Sequence, residues 1–314
     1  MRYTVGIDLG GTNIAAGLVD ENYTIVDKAS IKTRAPRPAA EIVADMAGLV
    51  RTLTSRAGVC VSAVGIGSPG IVSHGIVRFA NNLRFTDVPL ADMMRDACGV
   101  PASVGNDANA AALGEFAAGA GRGADSLVAV TLGTGVGGGI IEDGKIVEGF
   151  NGAGGEIGHF TLFPDGRPCS CGKRGCFEAY CSATALIRDT AEALREHPDS
   201  AIASLCGGDP ARVTGRTAFD AMRLGDSAGR AVVDQYIHWL ALGLSSIVTL
   251  LQPQILALGG GISREGETLL APLREYIDRN SYYDASTPRT RLIQAALGND
   301  AGIVGAAALG FSLL

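Results

Sequence analysis

Alternating apolar and polar positions predict a β-strand at the start of the chain, where Tyr3, Val5 and Ile7 alternate with Thr4 and Gly6. A glycine-rich turn ends this strand, and two further antiparallel strands follow it. The same succession of strand, glycine turn, strand and hairpin recurs near the middle of the chain. The strands predicted in these two regions are 3–8, 14–19, 23–27, 127–132, 136–141 and 145–148.

The two strand regions also match in spacing. The separation along the sequence from Gly10 to Asp20 equals the separation from Gly133 to Asp143. Asp143 and Gly144 form a dipeptide that favours a tight hairpin turn. Two hairpins in matching register predict a duplicated domain plan, although a glycine-rich chain also allows coincidence.

Helical periodicity fills the intervals between predicted strands, and this alternation predicts an α/β fold. We expect a small first domain over 1–115 and a larger second domain over 116–300, with the last helix packing back on the first domain. The predicted helices are 42–53, 108–116, 178–194, 227–251 and 301–314. Further strands are predicted at 59–66, 255–258 and 291–295.

The composition fits a folded chain with a sizeable core, since 47% of the residues are hydrophobic and 18% are charged. The formal net charge is −6 and no basic run occurs, which disfavours nucleic acid and anionic membranes as partners. The first strand is too short for a signal peptide, and the apolar region 239–251 is shorter than a membrane span. We therefore expect a cytoplasmic protein.

Three of the seven cysteines are clustered shortly after a histidine. Three thiolates and one imidazole form a complete tetrahedral zinc set, and Gly172 and Gly175 allow the backbone to turn around an ion. Because four protein ligands leave no position for a water nucleophile, the zinc would be structural. The predicted ligands are His159, Cys169, Cys171 and Cys176. The scattered cysteines, which we expect to fill cores, are Cys60, Cys98, Cys181 and Cys206.

Two glycine turns, at 10–12 and 133–135, offer backbone N–H groups to a phosphate, and each also holds a threonine hydroxyl. The second spells G-x-G-x-x-G, but a strand follows it where a dinucleotide site requires a helix. We therefore predict phosphate binding, the alternative being that these glycines only permit tight turns. A third run, 259–261, is weaker evidence for the close approach of a flat ligand.

Carboxylates and amides supply the candidate chemistry. Asp107 lies at a strand-to-helix junction beside Asn106, where it either caps the helix or serves as a general base. Glu156 and His159 would share a face if their segment is helical, and Glu178 follows the cysteine cluster. Such groups can accept hydrogen bonds from a polyhydroxylated ligand.

Together these motifs resemble the ROK family of bacterial sugar kinases and repressors, in family order over nearly the whole chain. The motifs at 154–159 and 169–178 are specific to that family, whereas the glycine turns belong to a wider fold. Two departures are Gly105, where an acidic residue is frequent, and Arg167-Pro168, where a small residue is frequent. The motifs are Asp8-Leu-Gly-Gly-Thr-Asn13, Gly67-Ser-Pro-Gly70, Asn106-Asp-Ala-Asn109, Gly133-Thr-Gly-Val-Gly-Gly-Gly139, Gly154-Gly-Glu-Ile-Gly-His159 and Cys169-x-Cys171-Gly-x-x-Gly-Cys176-x-Glu178.

The resemblance implies an actin-like, hexokinase-type fold of ribonuclease-H-like topology, with two α/β domains closing an interdomain cleft on ATP and a sugar. It implies that Asp107 is the base acting on the sugar's 6-hydroxyl, and that Asp8 holds Mg²⁺ through water. The implied substrate-binding residues are Gly67, Asn82, Asn106, Asp107, Glu156, His159 and Glu178. The implied ATP-binding residues are Asp8, Gly10, Gly11, Thr12, Asn13, Gly133, Thr134, Gly135, Gly259 and Gly260.

The leading hypothesis is therefore an ATP-dependent hexose kinase of carbohydrate metabolism and glycolysis. Glucose is favoured because the stretches 155–159 and 81–83 resemble family members that act on glucose. N-acetylmannosamine, N-acetylglucosamine, allose, mannose and fructose stay open as substrates.

A sugar-responsive regulator is disfavoured because the first strand leaves no room for a preceding helix-turn-helix. A structural zinc module or an actin-like assembly protein is the third alternative. The resemblance implies a homodimer or homotetramer.

Overall fold

The computed structural model describes residues 1–284 and 286–314. Its strands are β1 (Tyr3–Leu9), β2 (Asn13–Asp20), β3 (Ile25–Lys32), β4 (Ala63–Ser68), β5 (Ile71–Ser73), β6 (Ile76–Ala80), β7 (Phe85–Val88), β8 (Ala102–Asn106), β9 (Leu127–Leu132), β10 (Val136–Glu142), β11 (Lys145–Ile146), β12 (Ile255–Gly260) and β13 (Arg291–Gln294). Its α-helices are α1 (Ala39–Ala57), α2 (Leu90–Cys98), α3 (Asp107–Ala118), α4 (Glu178–Cys181), α5 (Ala183–Glu196), α6 (Ala201–Cys206), α7 (Thr217–Arg223), α8 (Ser227–Leu251), α9 (Glu267–Asn280) and α10 (Ala301–Phe311).

The first sheet has the strand order β3-β2-β1-β4-β8. Its first three strands are antiparallel, whereas β1, β4 and β8 run parallel. The register pairs Asp8 with Gly67 and Ser68 with Asn106. The carboxyl ends of three parallel strands therefore meet at one edge of this sheet, and they bring predicted site residues together there.

The second sheet has the strand order β11-β10-β9-β12-β13. In both sheets the order is third, second, first, fourth and fifth strand along the respective stretch of chain. This shared order confirms the duplicated plan that the spacing of the two hairpins predicts. A smaller antiparallel sheet, β5-β6-β7, was not predicted from the sequence.

The chain divides into two compact units. The first unit contains Met1–Ala129, Gly138–Gly155 and Ala295–Leu314, and the second contains Val130–Gly137 and Glu156–Gln294. The domain boundary near residue 115 stays a prediction. The core of the first unit contains apolar side chains of β1, β2, β4, α1 and α2.

Helix α10 lies against the first sheet at a distance that only glycine permits. A Cβ atom built on Gly65 of β4 would lie 1.6 Å from the carbonyl oxygen of Ala306, and one built on Gly6 of β1 would lie 2.0 Å from that of Ile303. Side chains at these two positions would push the helix off the strands. The contact holds the start of α10 near the end of β1.

Several elements differ from the sequence predictions. The helix predicted over 178–194 is broken at Ser182, whose extended backbone separates α4 from α5 and whose hydroxyl accepts a hydrogen bond from the N–H of Ala185. The strand predicted at 23–27 begins at Ile25, because Asp20 accepts hydrogen bonds that close a turn before it. Cys60 is exposed, so its assignment to a core was wrong.

Helix α8 is the longest helix in the described ranges 1–284 and 286–314. Its 25 residues are long and apolar enough to cross a membrane, in contrast to the shorter apolar region identified in the sequence. Half of its most apolar window is buried inside the fold, as in the core helix of a globular protein. Length and composition alone therefore give only weak evidence for a membrane span.

Candidate active site and metal centre

The first glycine turn, between β1 and β2, is held by backbone hydrogen bonds. The Gly10 N–H donates to the Asn13 carbonyl over 2.9 Å, and the Thr33 hydroxyl donates to the Gly10 carbonyl over 2.6 Å. The Thr33 N–H donates to the carbonyl of Thr12 over 2.9 Å. These bonds fix the turn while Thr12 and Asn13 remain exposed, as a phosphate-binding turn requires.

Asn82 lies beside this turn, in a short 3₁₀ helix between β6 and β7. A Cβ atom built on Gly11 would lie 3.2 Å from the Cβ of Asn82, so a larger residue at Gly11 would crowd it. The fold thus brings one implied phosphate-binding residue next to one implied sugar-binding residue, although they are far apart in sequence.

The junction between β8 and α3 positions Asp107 and Asn106. The Asn106 side chain caps α3 by accepting hydrogen bonds from the N–H groups of Ala108 and Asn109, and its Nδ2 donates to the Gly70 carbonyl over 3.0 Å. Because Asn106 caps the helix, that task does not require Asp107. Asp107 also accepts the N–H of Ala108 over 2.9 Å, and its role as a general base stays a prediction.

Two carboxylates, Asp8 and Asp107, interact at this edge of the first sheet. Burial, with the negative charge of Asp107 as a second cause, raises the pKa of Asp8 from 3.8 to about 6. Burial also raises the pKa of Asp107, and backbone hydrogen bonds such as the 2.9 Å bond from Ala108 N–H partly oppose that rise. A carboxylate whose pKa is raised is a stronger base, which suits proton abstraction from an alcohol.

The second glycine turn, between β9 and β10, is bonded to a side chain of α4. One oxygen of the Glu178 carboxylate, Oε2, accepts the N–H of Val136 over 3.0 Å. A Cβ atom on Gly135 would lie 2.3 Å from the same oxygen, so glycine is required there. The Thr184 hydroxyl donates to the Thr134 carbonyl over 2.7 Å. Glu178 therefore contacts the predicted phosphate turn directly.

The third glycine run lies against the residue that precedes the second turn. Gly260 has a positive φ of 85°, and a Cβ atom there would lie 2.3 Å from the carbonyl oxygen of Leu132. The Ser263 hydroxyl donates to the Gly260 carbonyl over 2.9 Å. Two of the glycine runs implied in ATP binding are therefore adjacent in the second unit.

Glu156 and His159 flank a 3₁₀ turn, Ile157–His159, rather than sharing an α-helical face as the sequence suggested. The His159 N–H donates to the Glu156 carbonyl over 3.0 Å, and the Glu156 side chain is exposed. A Cβ atom on Gly158 would lie 2.1 Å from the carbonyl oxygen of Val136, so the turn is seated against β10.

The four predicted zinc ligands form one cluster. Their ligand atoms all lie within 4.8 Å of one another, with 3.7 Å from Cys169 Sγ to His159 Nδ1 and 3.6 Å from Cys171 Sγ to Cys176 Sγ. Tetrahedral zinc with Zn–S bonds of about 2.3 Å requires sulfurs about 3.8 Å apart. The donor set and its spacing therefore fit a structural zinc ion.

Sequence reasoning missed Ser170 in the second unit and Glu115 in the first. Ser170 donates to Glu178 Oε1 over 3.1 Å and so connects the cysteine cluster to the second glycine turn. Glu115 of α3 is buried and accepts hydrogen bonds from the N–H groups of Ala120, Ala296 and Leu297, which fixes the segment before α10. A single acidic residue within the alanine-rich part of α3 was the available signal for Glu115.

The fold and site define an α/β protein of the actin-like, hexokinase-type class. The ROK family model matches residues 4–311, and the chain belongs to the ROK family. It is 38% identical over 309 residues to a glucokinase of Thermotoga maritima, covering 97% of this chain and 96% of that protein. A glucokinase of Halalkalibacterium halodurans is 37% identical over 310 residues, covering 97% of this chain and 93% of that protein.

A solved structure of a ROK family protein is also similar to this chain over nearly its full length. The ROK family glucokinase of Streptomyces griseus in complex with glucose and AMPPNP is 38% identical, with a TM-score of 0.81 and 99% of each chain covered. The similarity therefore extends over the elements that carry every predicted site residue.

Proposed function

We propose that this chain is an ATP-dependent hexose kinase that transfers the terminal phosphoryl group of ATP to the 6-hydroxyl of glucose. The observation that carries the proposal is the placement of Asp107 at the β8–α3 junction, where Asn106 caps the helix and leaves Asp107 available as a base. The similarity to proteins named glucokinase over nearly the full chain supports glucose as the substrate.

In this proposal Asp107 accepts the proton of the sugar's 6-hydroxyl as that oxygen attacks the terminal phosphorus. The P–O bond to ADP breaks as the new P–O bond forms, and ADP leaves. Most of the catalysis is positioning and charge neutralisation, which backbone N–H groups of the glycine turns would supply to the phosphates. Thr12 and Thr134 add hydroxyl donors, and Gly260 would line the nucleotide.

The sugar would be recognised by its hydroxyl groups. Carboxylates, an amide and an imidazole accept or donate the hydrogen bonds that such a ligand requires. We assign this role to Asn82, Asn106, Glu156, His159 and Glu178. Glu178 already accepts hydrogen bonds from Val136 N–H and Ser170 Oγ, so its orientation is fixed before a sugar binds.

Two metal ions belong to the proposal. Asp8 would hold Mg²⁺ through water, and this ion would neutralise charge on the phosphates of ATP. Its half-buried carboxylate and the neighbouring Asp107 fit a divalent cation, which would offset their repulsion. His159 and the three clustered cysteines would hold structural zinc.

We also propose that the protein is a cytoplasmic homodimer or homotetramer. It would act in glycolysis and bind neither nucleic acid nor membranes.

A coupled ADP-release assay over glucose, mannose, fructose, allose, N-acetylglucosamine and N-acetylmannosamine tests the proposal. We expect Mg-ATP-dependent turnover with the highest kcat/KM for glucose. A higher kcat/KM for another of these sugars would reassign the substrate while keeping the reaction. The absence of ADP release with all six sugars would contradict a hexose kinase.

A further inference from the structure

The cysteine loop, defined here as Phe160–Phe177, carries an arginine that the proposed chemistry does not use. Arg167 immediately precedes Pro168 and Cys169. The loop is a narrow hairpin: the Cys169 N–H donates to Lys173 over 2.9 Å, and the Gly175 N–H donates to Arg167 over 2.8 Å. The backbone of Arg167 is therefore part of the loop, while its side chain is free to contact the rest of the unit.

The Arg167 guanidinium reaches two helices of the second unit. Its Nη1 lies 2.9 Å from Oδ2 of Asp189 on α5, and this carboxylate is only 15% exposed. Its central carbon lies 4.5 Å from the ring centroid of Trp239 on α8 and 4.8 Å from that of Tyr180 on α4. A planar guanidinium can form an ion pair and stack on aromatic faces at the same time.

Aromatic rings complete this contact. Tyr180 and Trp239 lie edge to face with centroids 5.2 Å apart, and Phe163 of the loop lies 4.9 Å from Tyr180. The Tyr180 hydroxyl accepts the backbone N–H of Arg167 over 2.8 Å. Tyr180 belongs to α4, the same short helix that begins with Glu178. Arg167 thus fixes the helix that presents Glu178 to the second glycine turn.

We propose that Arg167 is a positioning residue: it clamps the cysteine loop onto α4, α5 and α8 by a contact that involves no metal ligand. The clamp keeps the loop folded when zinc is absent and slows zinc release when it is present. Its effect on sugar binding, through His159 and Glu178, rests on the proposed kinase function. Its effect on the fold of the loop does not.

The chain provides its own reporter, because Trp239 is its one tryptophan. The emission of Trp239 therefore reports directly on the clamp. The experiment compares wild type with Arg167→Ala and Arg167→Lys, each in zinc-loaded and zinc-stripped form. The matched control is Arg195→Ala, which removes an exposed arginine from the last turn of the same helix, α5.

In zinc-stripped protein we expect Arg167→Ala to red-shift the Trp239 emission, because the guanidinium no longer covers the ring. Wild type and Arg195→Ala should give the same emission spectrum in zinc-stripped as in zinc-loaded form. Zinc release into EDTA, followed with 4-(2-pyridylazo)resorcinol, should become about tenfold faster, because the variant loses one ion pair and two cation–π contacts that hold the loop. The KM for glucose should rise by about tenfold, with kcat and the KM for ATP within about twofold.

Arg167→Lys separates stacking from charge. It keeps a cation for Asp189 but lacks the planar group, so we expect zinc release intermediate between wild type and Arg167→Ala. If Arg167→Ala does not fold, Arg167→Lys carries the same three measurements. Emission and zinc release equal to wild type in the folded variants would overturn the clamp. Unchanged glucose KM together with altered emission would keep the clamp and contradict its link to the sugar.

Discussion

The two glycine turns occupy the same place in two sheets of the same strand order, yet their surroundings are held in different ways. Around the first turn, Asp8, Gly67 and Asn106 are aligned by the register of parallel strands. Around the second, Glu178 contacts Val136 because a short helix follows a cysteine loop. The first region depends on sheet topology, and the second depends on side-chain contacts and a predicted zinc ion.

The two regions should therefore respond differently to substitution. A strand register is supported by many backbone hydrogen bonds, so single substitutions at the first turn should change chemistry more than folding. The cysteine loop is held instead by side-chain contacts to α4, α5 and α8 and by the expected zinc ion. Damage to the loop should therefore change folding and ligand affinity together.

The largest expected effect is on the chemistry of the first region. Asp107→Asn should lower kcat by about 10²–10⁴-fold, since a general base contributes that much, while leaving the glucose Kd within a few-fold of wild type. Steady-state ADP release and isothermal titration with glucose measure the two effects. Asn106 still caps α3 in this variant, so thermal stability should not fall. Normal turnover would assign the base to another residue.

Much of the first region could be predicted from the sequence, because its residues lie within motifs that local periodicity places at strand ends. Asp8 ends a predicted strand and Asp107 was expected at a strand-to-helix junction, and parallel strands bring such positions together. The second region was less predictable. The bond from Val136 to Glu178 joins residues far apart in sequence, and no local pattern indicates it.

The structural elements that were not predicted depend on local turns and helix caps, which hydrophobic periodicity does not show. The sheet β5-β6-β7 consists of short strands whose pairing depends on turns such as the one at Gly75, where φ is positive. The break at Ser182 is invisible in hydrophobic periodicity, because α4 and α5 both continue an apolar pattern across it. Periodicity predicts that a helix exists, whereas local capping chemistry decides where it ends.

A smaller effect is expected when the zinc ligands of the second region are changed. Cys171→Ser should lower zinc affinity and weaken glucose binding by at least about tenfold, because His159 is both an expected ligand and an expected sugar contact. Metal content by atomic absorption and glucose titration measure this. Cys60→Ser is the matched control, since both cysteines are exposed and only Cys171 belongs to the cluster. Equal glucose affinity in verified zinc-free Cys171→Ser would separate the sugar site from the metal.

The smallest effect concerns Asp8, whose ionised carboxylate lowers the stability of the first region. Its pKa rises from 3.8 to about 6 in the folded chain, which corresponds to up to about 3 kcal/mol of destabilisation when the carboxylate is ionised. The first turn of α10 opposes this, because a Cβ atom on Gly302 would lie 2.8 Å from Asp8 Oδ2 and a helix N-terminus favours negative charge. We therefore expect Asp8→Asn to raise the free energy of unfolding by about 1–3 kcal/mol at pH 7.5.

The sign of the pH dependence follows from the direction of the shift. A carboxyl group whose folded pKa is raised destabilises the fold fully above pH 6, and this penalty fades as the pH falls from 6 towards 4. The stability difference between Asp8→Asn and wild type should therefore shrink over that interval in urea unfolding experiments. Asp234→Asn, which changes an exposed carboxylate on α8, should show no such convergence. A difference that grows as the pH falls would mean that the fold stabilises the charge of Asp8, and Asp8 would then not be a source of instability in the first region.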